Sequence, residues 1–129
     1  MAGTKIVIEF ENVGIVEGEL FDKVSPKTYG AFLKELPFES EASTWGEEIY
    51  FDTPISMSGE NGKKRVEVGD IAYWPPGRSM CLFFGRTPAS SGDEPVAASP
   101  VNVIGKITKN IELLRKVRNG TGIKVRVVK

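Results

Sequence analysis

The sequence contains no histidine, and this absence excludes several kinds of enzyme site. A Ser-His-Asp or Cys-His arrangement needs an imidazole as its general base. The only cysteine is Cys81, so the chain forms no internal disulfide, and without histidine it lacks the usual zinc ligands. We therefore expect no hydrolase of these kinds and no bound metal or cofactor, and we interpret Cys81 as an inert core residue.

Long hydrophobic runs are also lacking. A membrane-spanning helix needs about 18 consecutive apolar residues, and no segment approaches that length. The residues after Met1 run directly into a strand-like pattern, without the basic and apolar regions of a secretory signal. We therefore expect a cytoplasmic protein with no membrane partner.

Charge of one sign is not in excess, but it is unevenly distributed. The chain has 17 Lys and Arg against 17 Asp and Glu, whereas residues 101–129 carry eight basic side chains and only one acidic side chain, Glu112. A basic segment can bind nucleic acid. This one has no aromatic residue for base stacking, and its basic residues are interleaved with Ile, Leu and Val. We interpret it as the solvated face of a folded segment and expect no nucleic-acid partner.

Alternation of apolar and polar residues predicts several short strands. The 129 residues, with 40% hydrophobic and 26% charged residues, suit one globular domain spanning residues 1–129. In residues 5–11, for example, Ile6, Ile8 and Phe10 fall on one face. The same reasoning predicts strands at residues 15–21, 38–44, 47–53, 71–74, 80–84, 101–107 and 123–127.

Two helices are predicted at separate points of the chain. Ser25 is a typical N-cap, Pro26 is a typical first helical residue, and apolar residues recur at helical spacing until Pro37. A shorter helix is predicted over residues 110–117, after a surface loop at residues 86–100 whose length is typical of functional edges. Two helices are too few to cover both faces of a parallel sheet. We therefore expect a mainly β fold, a closed antiparallel barrel of about eight strands with two helices.

The order and spacing of several segments resemble those of cyclophilins. Residues 18–28 resemble the strand and turn that lead into the first cyclophilin helix, residues 69–84 resemble the middle of that family, and residues 103–125 resemble its closing segments. Asp70–Gly77, together with Trp45–Phe51 and Leu82–Pro88, is more closely similar to the compact cyclophilin-like family of bacteria and archaea. This resemblance implies the cyclophilin barrel and no settled activity.

The chain departs from cyclophilins that have peptidyl-prolyl isomerase activity. Trp45–Tyr50 stands where those proteins have a Phe-His-Arg segment, so the catalytic arginine is missing at that place. Of the proline-pocket residues, only Phe84 carries over. Because isomerisation needs a cationic donor beside the imide rather than a nucleophile, Arg78 and Arg86, on either side of the predicted strand at 80–84, are the candidate catalytic residues.

Aromatic residues on segments that are neighbours in a cyclophilin-like barrel suggest a ligand groove. Tyrosine and tryptophan combine apolar area with a polar tip, which suits ligand contact. Trp45 and Trp74 adjoin Gly or Pro turns, which favours a groove position over the core, whereas Tyr73 and Phe84 fit either position equally well. The predicted ligand-binding residues are Trp45, Glu48, Tyr50, Tyr73, Trp74 and Phe84.

Three functions are compatible with these observations. The leading hypothesis is non-covalent binding of a peptide or small molecule in the aromatic groove. The first alternative is an atypical or weak peptidyl-prolyl isomerase. The second is an accessory subunit of a larger metabolic enzyme, since cyclophilin-like barrels recur in amidohydrolase-type and oxoprolinase-type assemblies, an analogy of fold alone. The identity of the ligand and the oligomeric state are left open by the sequence.

Overall fold

The structure, a computed structural model, describes residues 3–128. Its elements in chain order are β1 (Gly3–Phe10), β2 (Gly14–Phe21), α1 (Pro26–Glu35), β3 (Phe38–Glu41), β4 (Ser43–Thr44), β5 (Glu48–Asp52), β6 (Lys63–Arg65), β7 (Asp70–Trp74), a 3-10 helix (Pro75–Gly77), β8 (Ser79–Phe83), β9 (Val96–Lys109), a second 3-10 helix (Ile111–Lys116) and β10 (Gly122–Val127). None of the helices in this described stretch is long and apolar enough to cross a membrane.

The strands form one antiparallel sheet in the order β3-β10-β1-β2-β9-β7-β8-β5-β4, with β6 paired to β9. A mainly β antiparallel fold is thus confirmed, but the prediction of a closed barrel of about eight strands is wrong. Within residues 3–128 there are ten strands, and the sheet is open between β3 and β4, which share no ladder. These end strands are successive parts of one extended stretch, separated by Ala42, and pair with β10 and β5 respectively. Alternation of side chains places residues on faces, whereas closure depends on strand tilt and stagger.

The start of β9 lies inside the segment that the sequence predicts as a loop. Residues 96–100 precede the predicted strand, yet they belong to β9 and run beside β6. Pro95 and Pro100 bracket this stretch, and proline argues against a strand because it lacks a backbone donor. The ladder tolerates Pro100 because the β6–β9 pairing is irregular between Val96 and Val101.

Both predicted helices are present at the expected positions. Helix α1 begins at Pro26 and ends at Glu35, just before Pro37. The second helix, predicted over residues 110–117, is a 3-10 helix, in which the N–H of Leu113 donates to the carbonyl oxygen of Asn110 at 3.0 Å. Its buried residue, Leu114, joins the main core.

Apolar side chains pack on both faces of the sheet. The main core includes Ile6, Ile8, Phe32, Ile49, Phe51, Leu82 and Ile104. A smaller cluster on the opposite face contains Val66, Ala72, Cys81, Phe83, Ala97, Val101 and Val103. Strand β8 contributes to both, since all five of its residues are buried and successive side chains point to opposite faces. The smaller cluster forms the base of the candidate site.

A loop far away in the sequence caps the first turn of α1. The carboxylate of Glu60 accepts hydrogen bonds from the N–H groups of Lys27 and Thr28, both at 2.9 Å, and from the Thr28 hydroxyl at 2.8 Å. Ser25 stands at the N-cap position, but its side chain makes no capping bond and donates instead to the carbonyl oxygen of Glu60 at 3.2 Å. Ser25 is therefore the N-cap residue, as predicted, but the Glu60 carboxylate rather than its own side chain accepts from these free helix donors.

Buried Asn102 on β9 holds this capping loop in place. Its Oδ1 accepts from the N–H of Glu60 at 2.8 Å, while its Nδ2 donates to the Thr28 hydroxyl at 3.0 Å and to the carbonyl oxygen of Ser58 at 3.1 Å. Burial raises the pKa of Glu60, but the hydrogen bonds from Lys27 and Thr28 outweigh it and hold the pKa below its usual value. The carboxylate thus stays ionised at the start of α1.

Candidate functional site

A hollow of about 190 Å³ lies against the smaller apolar cluster. It is lined by Trp45, Glu48, Tyr50, Trp74, Ala97, Ala98 and Val101. Cavities of about 150 Å³ hold a benzene molecule, whereas sites for drug-sized ligands measure about 300–1,000 Å³. The hollow therefore suits one ring or one short side chain.

Strand β5 supplies Glu48 and Tyr50 to the hollow. They lie two residues apart and so point to the same face, while Ile49 and Phe51 between and after them enter the main core. The pairing of β5 with β8 sets Glu48 opposite Phe83 and Tyr50 opposite Cys81 in the smaller cluster. The period of the strand therefore determines which β5 side chains reach the hollow.

A tight hairpin between β4 and β5 positions Trp45. The N–H of Trp45 donates to the carbonyl oxygen of Glu48 at 2.9 Å, and the N–H of Glu48 donates to the carbonyl oxygen of Trp45 at 3.2 Å. Gly46 has a φ of +61°, and a Cβ there would lie 2.9 Å from the carbonyl oxygen of Arg86. Glycine is required at this turn by both the left-handed backbone and the close packing against residues 86–88.

The neighbouring acids Glu47 and Glu48 have different surroundings. The Glu47 carboxylate forms an ion pair with Arg115 and accepts from the N–H of Arg86 at 3.1 Å. The guanidinium of Arg115 also lies 5.5 Å from the centre of the Phe84 ring. Glu48, in contrast, makes no ion pair with any residue that the structure describes, and it is 6% exposed.

Burial of Glu48 changes its protonation. Burial raises its pKa from 4.5 to about 7, and a hydrogen bond with the Cys81 thiol partly opposes this rise. The pKa of Cys81 is raised well above its usual value, first by burial and then by the charge of Glu48 and their hydrogen bond. At neutral pH the hollow therefore contains a carboxyl group near its midpoint of titration, and the buried thiol beneath it in the smaller cluster is unreactive.

Trp74 forms the opposite wall, at the end of β7. Its Nε1 donates to the Ser99 hydroxyl at 2.7 Å, which joins the ring to β9. A Cβ at Gly77 would lie 2.5 Å from Cε3 and Cζ3 of the indole. The Pro75–Gly77 turn therefore brings the backbone of its last residue directly against the Trp74 ring.

We expect Gly77→Ala to displace the Trp74 ring, because no real Cβ approaches a ring carbon that closely. In a Trp45→Phe background, Trp74 is the only tryptophan, so its emission maximum should shift. Gly59→Ala is the matched control, since a Cβ there meets nothing within 4 Å. Identical spectra for the two variants would contradict the close packing of Gly77 on Trp74.

Comparison with known proteins identifies the family. The family model described as cyclophilin-like matches residues 4–126. The chain belongs to the cyclophilin-like family. It is also similar to the solution structure of a hypothetical protein from Archaeoglobus fulgidus, with 43% identity over 97% of this chain and 95% of that chain and a TM-score of 0.82. A comparison with curated protein sequences gives no match.

In this cyclophilin-like chain, two of the six predicted ligand-binding residues lie away from the hollow. Tyr73 is fully buried in the main core, where its hydroxyl donates to the carbonyl oxygen of Ile55 at 2.7 Å and accepts from the N–H of Met57 at 3.2 Å. Phe84 is 8% exposed and also packs in the main core. The structure brings the other four, Trp45, Glu48, Tyr50 and Trp74, together.

The candidate catalytic arginines are not among the residues that line the hollow. Arg78 is exposed after the Pro75–Gly77 turn, and its Nε donates to the carbonyl oxygen of Ile55 at 3.3 Å. Arg86 is exposed, and its backbone carbonyl accepts from the N–H of Glu47 at 2.7 Å. The isomerase alternative in this cyclophilin-like protein therefore lacks a cationic donor inside the hollow.

Sequence reasoning missed the part of the hollow that β9 supplies. Ala97, Ala98 and Val101 lie in or next to the predicted 86–100 loop, and small apolar residues in such a loop carry little signal. Of the three residues after Pro95, only Val96 favours a strand, since alanine is depleted in strands. The last residues of this predicted loop border the hollow.

Proposed function

We propose that this protein binds a small molecule, or a single side chain of a peptide, in the hollow beside β5, β7 and β9. The observation that carries this proposal is the lining itself, in which three aromatic side chains and one carboxyl surround a space of about 190 Å³. Aromatic rings offer large apolar area at low entropic cost, and one well-placed polar group gives orientation. The function is binding, with no catalytic step assigned.

Local contacts hold the walls of the hollow in advance of binding. The hairpin around Gly46 fixes Trp45, and the Ser99 hydroxyl together with the Gly77 backbone fixes Trp74. A site whose side chains are already ordered loses less entropy when a ligand binds. This preorganisation supports a binding role over a passive surface depression.

Tryptophan fluorescence can test the proposal, because the chain has two tryptophans and both line the hollow. We expect at least one of four probes, 1-butanol, phenol, n-butylammonium and N-acetylprolinamide, to give a saturable emission change. The variant Ala98→Leu fills the rim of the hollow and should weaken that binding by about tenfold or more. Amide chemical shifts should change at Trp45 and Trp74.

Ala89→Leu is the matched control, since Ala89 is an exposed alanine that does not line the hollow. It should leave the affinity unchanged. The proposal fails if no probe gives a saturable signal. It also fails if Ala98→Leu binds as tightly as the unchanged protein, because the binding site would then lie elsewhere.

A further inference from the structure

We propose that the hollow selects a cationic ligand group, an alkylammonium carried by a small amine or by a lysine side chain of a peptide. This inference rests on the proposed binding function and adds the chemical class of the ligand. It follows from the placement of Glu48 among Trp45, Tyr50 and Trp74.

The charge of the hollow is unmatched within the protein. No basic side chain is among its lining residues, and no Lys or Arg in residues 3–128 forms an ion pair with Glu48. The adjacent acid Glu47 shows the contrast, since Arg115 neutralises it. A buried carboxylate without a cation is costly, and an incoming ammonium would supply both the opposite charge and hydrogen-bond donors.

The aromatic walls favour the same class of ligand. Rings of Trp and Tyr attract a cation held within about 6 Å of their centres. The indole N–H of Trp74 is already engaged by Ser99, so the contribution of Trp74 to the hollow is its apolar ring. Three such rings around one carboxyl form the kind of cage that recognises organic ammonium groups.

The hollow also discriminates against other ligand classes. An anion would face the Glu48 carboxylate with no basic residue in the lining to compensate. A neutral group of the same length would fill the apolar space and leave the ionised carboxylate without a counter-charge. The space of about 190 Å³ accepts a short alkyl chain bearing one ammonium.

Binding of a cation should be linked to the protonation of Glu48. Burial raises the pKa of this carboxyl to about 7, so at lower pH an ammonium must displace a proton. The affinity for an amine should therefore increase as the pH rises through this range and then become constant. The titratable neighbours of Glu48 are Tyr50 on β5 and Cys81 on β8. The pKa of Cys81 is raised, so its thiol stays neutral in this pH range. Strands β7 and β9 contribute only uncharged side chains to the hollow, from Trp74, alanine and valine.

The test compares n-butylammonium with 1-butanol, which has the same number of heavy atoms and no charge. At about pH 8 the amine should bind about tenfold tighter than the alcohol, as measured by tryptophan fluorescence. In Glu48→Gln the ratio of the two affinities should fall below about twofold. Glu47→Gln removes a neighbouring acid outside the hollow and should keep the tenfold ratio.

A second pair of probes identifies the source of the ammonium. The tripeptide acetyl-Gly-Lys-Gly-amide is compared with its norleucine analogue. If the affinity ratio of the lysine to the norleucine peptide exceeds the ratio of n-butylammonium to 1-butanol, the ligand is a lysine side chain of a protein or peptide. Equal affinities for n-butylammonium and 1-butanol, or a ratio unchanged by Glu48→Gln, would overturn the inference while leaving the proposed binding function intact. If no probe binds, both fail.

Discussion

At about pH 8, the Glu48→Gln variant should be more stable than the unchanged protein by up to about 3 kcal/mol. Glu48 is 6% exposed, and burial raises its pKa from 4.5 to about 7 against the smaller, lowering effect of the Cys81 thiol. Ionising this carboxyl is therefore harder in the folded protein than in the unfolded chain. Glutamine keeps the size of the side chain and carries no charge.

The pH dependence of unfolding distinguishes this cause from others. Between the unfolded pKa of 4.5 and the folded pKa of about 7, the folded protein holds a proton that the unfolded chain has released. The free energy of unfolding of the unchanged protein should therefore receive a negative contribution that grows as the pH rises through this window and is constant above it. Denaturant titrations across the window should show Glu48→Gln without this contribution.

The control is Glu47→Gln, because Glu47 is ion-paired and its neighbour is not. The Glu47→Gln variant should keep the decrease in the free energy of unfolding that the unchanged protein shows as the pH rises through the window. If Glu48→Gln and the unchanged protein differ equally at both ends of the window, burial of the carboxyl is not the cause. A carboxyl that lowers stability in the free protein fits a binding role, since functional groups are often retained at a cost to the fold.

The same residue shows how far sequence reasoning could proceed. Strand alternation requires Glu48 and Tyr50, two residues apart, to share a face of β5, and both line the hollow. Alternation also requires Tyr73 and Trp74 to lie on opposite faces of β7, so one hollow on a sheet face accommodates only one of them. The predicted strand, residues 71–74, contains no charged residue to mark its outer face, because Asp70, which alternates onto the same face of β7 as Trp74, falls outside those bounds. The sequence could not tell which of the two enters the core.

Other features depended on contacts between distant residues. The family resemblance is confirmed by the cyclophilin-like match over residues 4–126. The opening of the sheet between β3 and β4, at Ala42, could not be predicted, because it depends on how the strands stagger. Capping of α1 by Glu60 joins positions more than 30 residues apart, and local patterns carry no information on such pairs. The isomerase and accessory-subunit alternatives stay predictions.

We expect Asn102→Ala to lower the free energy of unfolding by about 3–5 kcal/mol. Asn102 is fully buried, and its amide makes three hydrogen bonds, to the N–H of Glu60, the Thr28 hydroxyl and the carbonyl oxygen of Ser58. Alanine leaves these polar groups without a partner and opens space beside them. Thermal unfolding should occur roughly 10 °C or more lower.

The matched control is Asn119→Ala, because the Asn119 carbonyl accepts from the N–H and hydroxyl of Thr44 at an exposed position. Water can replace those bonds, so this loss should be about 1 kcal/mol. If the two variants lose the same free energy of unfolding, burial does not increase the contribution of the Asn102 hydrogen bonds to stability. Since Asn102 follows Val101 in β9 and pairs with Tyr73 in β7, the Asn102→Ala variant should also loosen the wall of the hollow. Weaker tryptophan responses to the bound probe would report that change.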